Sequence, residues 1–168
     1  MTHVSPKLPR RAVLAALAVA AAPALARAAC PPAQVLFVCP YGTVKSAIAR
    51  ETLKRRAADA GLAVRVRSRG LDIQDHVTAA LARQLKADGV DPAAEPPRRL
   101  EPADLTPRQI VVVFDEAAQD PRLAGARSWD VPSWSDYPAA KAALSDRIAA
   151  LVAELRERQS RACDGSRP

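Results

Sequence analysis

Cys39, Lys45 and Ser46, with Gly42 and Thr43 between them, are the residues of this chain whose types and spacing could do chemistry. They sit in the stretch VLFVCPYGTVKSAIAR, from Val35 to Arg50, where an apolar run delivers one thiol to a short loop and a helical pattern follows. A loop joining a strand to a helix turns backbone N–H groups inward beside the positive end of the helix dipole, and that arrangement binds an oxyanion. The same field favours the thiolate form of a cysteine held there. Lys45 adds a cation, and Ser46, at the expected helix start, either hydrogen-bonds the sulfur or caps the helix. A nucleophile at the base of an anion cradle is what covalent phosphoryl transfer needs. The competing reading makes Cys39 a small core residue ending a strand, as cysteines often are.

The elements that must position these groups follow from hydrophobic pattern and breakers. Gln34 to Cys39 is a continuous apolar run, typical of a strand covered on both faces. Ser46 to Ala60 carries Ala49, Leu53, Ala57 and Ala60 on one helical stripe, and Gly61 stops it. Leu62 to Ser68 alternates apolar and basic residues as a second strand, broken by Gly70. Thr78 caps a helix bearing Leu81 and Leu85 that ends at Gly89. A connector holding Pro92, Pro96, Pro97, Pro102 and Pro107 leads to a buried-type strand, Ile110 to Phe114. Ser128 to Val131 is a short fourth strand, and Ala139 to Gln159 is a last helix with Leu144, Ile148, Leu151 and Leu155 on one side. This alternation predicts an α/β fold with a parallel sheet and helices on both faces. Right-handed crossovers then bring Cys39, Gly70, Asp115 and the segment Asp130–Tyr137 to one rim, where such sheets bind ligands. Beyond residue 28 the aromatic residues are Phe37, Tyr41, Phe114, Trp129, Trp134 and Tyr137, and all but Phe37 fall at or beyond strand ends. Phe114 and Trp129 suit the core, whereas Tyr41 and Trp134 suit the walls of a pocket for a flat phosphorylated ring.

The 168 residues amount to one domain. Lys7, Arg10 and Arg11 precede an apolar stretch from Ala12 to Ala22, then Pro23 and small residues with cleavage patterns at Ala24–Ala26 and Ala26–Ala28. That is the layout of an export signal over residues 1–28, leaving a single domain over 29–168 in the periplasm or outside the cell. The apolar stretch is short of the roughly 20 residues of a membrane span, and Arg10–Arg11 partly matches a twin-arginine signal. An uncleaved N-terminal anchor is the alternative. Residues 1–28 hold four of the 25 basic residues and none of the 18 acidic ones, so the formal net charge falls from +7 to +3 without them. A mildly basic domain gives no ground for a nucleic-acid partner. With His3 and His76 alone, no metal site is expected. Cys30 precedes the first strand and Cys163 follows the last helix, so a Cys30–Cys163 disulfide is expected in an oxidising compartment, with Cys39 free. Two unrelated terminal thiols are the alternative.

The sequence resembles the low-molecular-weight protein tyrosine phosphatases and the arsenate reductases of the same fold. The family pattern is C-x5-R-[ST] after the first strand, and here it reads CPYGTVKS. Further matches are VRSRG after the first helix, VVVFDE in the third strand, and WDVP before the last helix, so the likeness spans about Gln34 to Leu155. The resemblance implies a three-layer αβα fold with four parallel strands in the order 2-1-3-4. It implies Cys39 as nucleophile, Ser46 as the hydroxyl assisting it, and Tyr41, Gly42, Thr43, Val44 and Lys45 as the phosphate cradle.

Several positions depart from the family pattern. Lys45 replaces the arginine whose planar fork grips two phosphate oxygens, Pro40 has no N–H to offer, and Gly42 stands for a bracing asparagine. The aspartate of a DP pair that protonates the leaving group is missing at Ser133–Trp134. Asp136 is the first substitute acid and Asp130 the second. The expected activity is hydrolysis of aryl phosphomonoesters through a cysteinyl phosphate, without organic cofactor, on a phosphorylated small molecule or a phosphotyrosine protein. The alternatives are a phosphate-binding domain without turnover and an arsenate reductase. For the latter, no further cysteine lies between Cys39 and Cys163 to form the thiol relay that thioredoxin-linked members use.

Overall fold

The computed structural model describes residues 31–74 and 77–164. The expected export signal and Cys30 lie outside the described residues. Four strands, β1 (Ala33–Cys39), β2 (Val64–Gly70), β3 (Ile110–Val113) and β4 (Arg127–Ser128), form one parallel sheet in the order β2-β1-β3-β4. Central β1 pairs Cys39 with Gly70 on one side and Val35 with Ile110 on the other. A strand flanked on both edges and covered on both faces has no wet side, which is why Val35 to Cys39 are all buried.

The period of two along β1 divides the interior. Val35 and Phe37 point into the larger core with Ile48 and Leu53 of α1 (Lys45–Asp59), Leu81 and Leu85 of α2 (Ala79–Ala87), and Leu144, Ile148 and Leu155 of α3 (Tyr137–Asp164). Leu36 and Val38 point the other way, to a smaller core with Leu100, Val113, Ala117 and Leu123. The outer layer on that second face is built from the proline-rich connector and short 3-10 turns at Asp115–Gln119 and Pro121–Leu123. Phe37, Phe114 and Trp129 pack together at centroid distances of 5.6–6.1 Å, the two phenylalanines stacked and Trp129 edge-on to Phe114, within the larger core.

Boundaries differ from expectation where hydrogen bonding overrides pattern. β4 is two residues long: the Trp129 amide still donates to the Val113 carbonyl at 2.9 Å, and beyond it Val131 is buried as a side chain outside the paired strand. α3 starts earlier, at Tyr137, with Pro138 in its first turn, where a missing N–H is harmless. Arg50, unremarked in the sequence, is 1% exposed inside α1. Its guanidinium donates to Glu51 Oε1 at 2.6 Å, Ser68 Oγ at 2.8 Å and the Pro92 carbonyl at 3.1 Å. A buried cation needs that set of partners, and through it α1, β2 and the connector are held in register.

Candidate active site

The loop from Pro40 to Val44 carries the chain from the end of β1 into α1. It turns at Gly42, whose φ of +72° is the left-handed conformation glycine adopts without a steric penalty. The turn brings the Gly42 N–H to 3.2 Å from Cys39 Sγ, and the fully buried Ser46 hydroxyl lies 3.0 Å from the same sulfur. Beneath the loop is Gly70. A Cβ there would stand 2.7 Å from the Gly42 nitrogen and 2.8 Å from the Tyr41 carbonyl carbon, so only glycine lets the two backbones touch. The segment after β2 completes the brace. Leu71 N–H donates to the Cys39 carbonyl, Asp72 N–H to the Pro40 carbonyl, and Thr43 Oγ1 to the Gln74 carbonyl at 2.7 Å. Among the described residues no acceptor takes the amides of Thr43, Val44, Lys45 or Ser46, which are the orphan donors of a helix start and its loop.

Cys39 and this loop open onto a cavity of about 570 Å³, a size that suits a small ligand. Tyr41, Thr43, Val44 and Lys45 line one side, Thr78 and Leu81 at the start of α2 another, and Asp115, Glu116 and Ser133–Ser135 the rest. Of the residues expected at the site, Cys39, Tyr41, Thr43, Val44, Lys45 and Trp134 face the cavity, while Gly42 and Ser46 lie under it against the sulfur. Trp134 is 9% exposed and packs on the Tyr137 ring at 5.6 Å, whereas Tyr41 is 41% exposed at the mouth.

The substitute acids are where expectation and structure part. Asp136 does not line the cavity. Its carboxylate accepts from the Ala139 amide at 3.2 Å and caps α3, an ordinary use of an aspartate before a helix. Asp130 is exposed and also outside the cavity lining; its carbonyl accepts from Arg147 Nε at 3.2 Å. The carboxylates at the cavity are Asp115 and Glu116, directly after β3. The sequence put Asp115 on the right rim but supplied no reason to give it a role. Its backbone carries a φ of +53°, which is strained for a residue with a Cβ.

Lys45 is bound on two sides. Its ammonium donates to Asp115 Oδ1 at 2.6 Å and to the Val131 carbonyl at 2.7 Å, joining α1 to the chain after β3 and to the segment before α3. An ammonium has three N–H donors, so one remains for a ligand. Cys39 is a free thiol, and Cys163 lies in the last turn of α3. Behind the Trp134 wall, Tyr137 gives its hydroxyl to Asp88 at the end of α2, and Lys141 donates to the same carboxylate at 2.8 Å. Burial first, and the Asp88 partner second, push the Tyr137 phenol up to about 12.

Solved structures of the same fold include YfkJ from Bacillus subtilis, with 17% identity over 77% of this chain and 98% of that one and a TM-score of 0.61. The YwlE arginine phosphatase from Geobacillus stearothermophilus is similar at 20% identity, covering 77% of this chain and 97% of that one, with a TM-score of 0.61. A thioredoxin-dependent arsenate reductase from Corynebacterium glutamicum matches at 23% identity over 78% of this chain and 65% of its own, with a TM-score of 0.62. No curated protein matches the chain. The family model for low molecular weight phosphotyrosine protein phosphatase matches residues 34–157, which hold β1 from Gln34 on, the cysteine loop, Lys45 with its two partners and most of α3, and the chain belongs to that family.

Proposed function

We propose that the chain hydrolyses aryl phosphomonoesters through a cysteinyl-phosphate intermediate. The observation that carries this reading is the Cys39 sulfur, held between the Gly42 amide at 3.2 Å and the Ser46 hydroxyl at 3.0 Å at the edge of a cavity of about 570 Å³. The thiolate attacks phosphorus; an S–P bond forms and the P–O bond to the leaving group breaks. Orphan loop amides and the third donor of Lys45 stabilise the equatorial oxygens as charge moves onto them. Water then attacks phosphorus, the S–P bond breaks, and inorganic phosphate leaves with the thiolate restored.

Proton delivery sets the substrate class. Asp115 is the carboxylate that lines the cavity and touches Lys45, so we assign it the role first sought in Asp136. A phenolate leaves tolerably without a proton, whereas an alkoxide does not, and loss of general acid catalysis costs roughly 10²–10⁴-fold. With Asp115 paired to Lys45 in the free protein, aryl esters are the expected substrates, with Tyr41 and Trp134 as walls for the ring.

One observation favours a second reading, a phosphate-binding domain without turnover: the cation of the cradle is already matched by a carboxylate at 2.6 Å. Turnover of p-nitrophenyl phosphate by the chain and by Cys39→Ser separates the two. Activity that vanishes in the variant supports hydrolysis. Equal rates end the enzyme reading, and phosphate binding with no turnover in either protein supports the second. Export, a Cys30–Cys163 disulfide and a phosphotyrosine protein as partner belong to the same proposal. Cell fractionation and a thiol count on non-reduced protein, one free group against three, test the first two.

A further inference from the structure

A second cavity, of about 370 Å³, opens around the beginning of β3 and the edge strand β4. Ile110 lies beside Val35 in the sheet, four residues before Cys39, so this cavity sits about 13 Å from the cysteine toward the opposite rim. Arg108, Arg122, Arg127 and Arg158 line it, and no acidic side chain does. Its floor is apolar, from Ile110, Val111 and Leu123.

The arginines are oriented from outside the cavity. Asp120 takes Arg122 through Nη2 at 2.7 Å and Nε at 3.0 Å. Glu154 takes Arg127 through both terminal nitrogens, at 2.5 and 2.8 Å, and Arg158 at 2.6 Å. Three of the four guanidinium groups thus share two carboxylates, and each of the three, with five N–H donors, keeps some unused. Arg108 has no hydrogen-bond or ion-pair partner among the described residues, and its backbone is left-handed at φ +70°. Only two non-glycine residues among those described have positive φ: Asp115 at the cysteine cavity and Arg108 here. Backbone strain persists where the surroundings hold it, and such places are often ligand sites.

We propose that this cavity binds a small polyanion carrying two or more phosphate groups. Guanidinium forks match phosphate oxygens in geometry as well as charge, and the apolar floor concentrates their field. A singly charged ligand competes poorly with Asp120 and Glu154, which already hold three of the four arginines. Several linked anionic groups can engage Arg108 and the unused donors together.

The test is a titration of inorganic tripolyphosphate into the folded chain, followed by amide NMR shifts. Gly125 and Gln109 report this cavity, and Gly42 reports the cysteine cavity. Saturable movement of Gly125 and Gln109 is expected, weakened roughly tenfold or more in the Arg108→Ala, Arg158→Ala double variant. The Gly42 response is expected to stay as in the parent. Arg108→Glu alone, at an exposed and unpaired position, is expected to weaken the Gly125 response in the same sense. Movement confined to Gly42 overturns the proposal, as does a Gly125 response that survives both sets of substitutions. An equally strong response to inorganic phosphate removes the requirement for linked groups. A stronger response to a poly-glutamate peptide transfers the site to an acidic protein segment. None of these outcomes depends on whether the cysteine site turns over substrate.

Discussion

Replacing Asp115 with asparagine isolates the least expected feature of the cysteine site, a cradle cation already bound to a carboxylate. At 2.6 Å the gross attraction in an effective dielectric near 20 is roughly 6 kcal/mol. The carboxylate is about one-third exposed, and pairs that water reaches retain only about 1 kcal/mol net. Taking a phosphate dianion in the cradle at about 6 Å from that carboxylate with the dielectric of water, the repulsion is roughly 1.4 kcal/mol. Asparagine removes both effects while Lys45 keeps its bond to the Val131 carbonyl at 2.7 Å. The two contributions together predict phosphate binding tighter by about 2.4 kcal/mol, or roughly fiftyfold. Calorimetric titration of phosphate at neutral pH into the parent and Asp115→Asn gives the ratio directly. Lys45→Met is the control and should weaken binding in both backgrounds. Unchanged or weaker binding in Asp115→Asn would refute the reasoning, because it would mean that the carboxylate neither neutralises the lysine nor repels the ligand. Turnover supplies the second half. If Asp115 gives the proton, the variant loses more rate on phenyl phosphate than on p-nitrophenyl phosphate, whose leaving group needs no proton.

Gly70→Ala places a Cβ 2.1 Å from the Asp72 carbonyl and 2.7 Å from the Gly42 nitrogen, both backbone. A loss at the upper end of the about 1–3 kcal/mol typical of overpacking should appear in the urea midpoint, whereas Gly61→Ala, with no atom within 4 Å, should lose only about 1 kcal/mol for its left-handed backbone. In a Tyr41→Phe background, phenolate absorbance should rise near pH 12 for Tyr137, and Asp88→Asn should bring that rise to lower pH. The folded pKa lies above the unfolded value of about 10, so this contribution to stability is complete below pH 10 and is lost as pH rises through 12. Glu154 runs the other way. Its hydrogen bond from Arg127, first, holds the carboxyl down to about 2, so stability it adds is present above about 4.5 and lost as pH falls through 2. Arg127→Met should move the midpoint of the Glu154 carboxyl titration, followed by NMR, to higher pH.

The alternation of elements and the place of the thiol were legible in the sequence, because both follow from near-neighbour rules. Val35 to Cys39 reads as a strand buried on two faces, and Thr78 before Leu81 reads as a helix cap; the Thr78 hydroxyl does accept from the Leu81 amide at 3.2 Å. Gly70 stood out as a breaker and Gly42 as part of the cysteine loop, although nothing local said that they face each other.

The residue that shares the cavity with the thiol could not be read in that way. Asp136 and Asp115 are both aspartates beside an expected strand or helix end, and pattern alone treats them alike. The backbone decides between them: one precedes free helix amides and turns to cap them, while the other, at φ +53°, is thrown across the rim onto Lys45. Composition and periodicity thus determined which segments form and in what order. The pairing of Lys45 with Asp115, and the gathering of four arginines from three separate segments around one cavity, depend on distances between residues far apart in the chain, and those distances exist only once the sheet has closed.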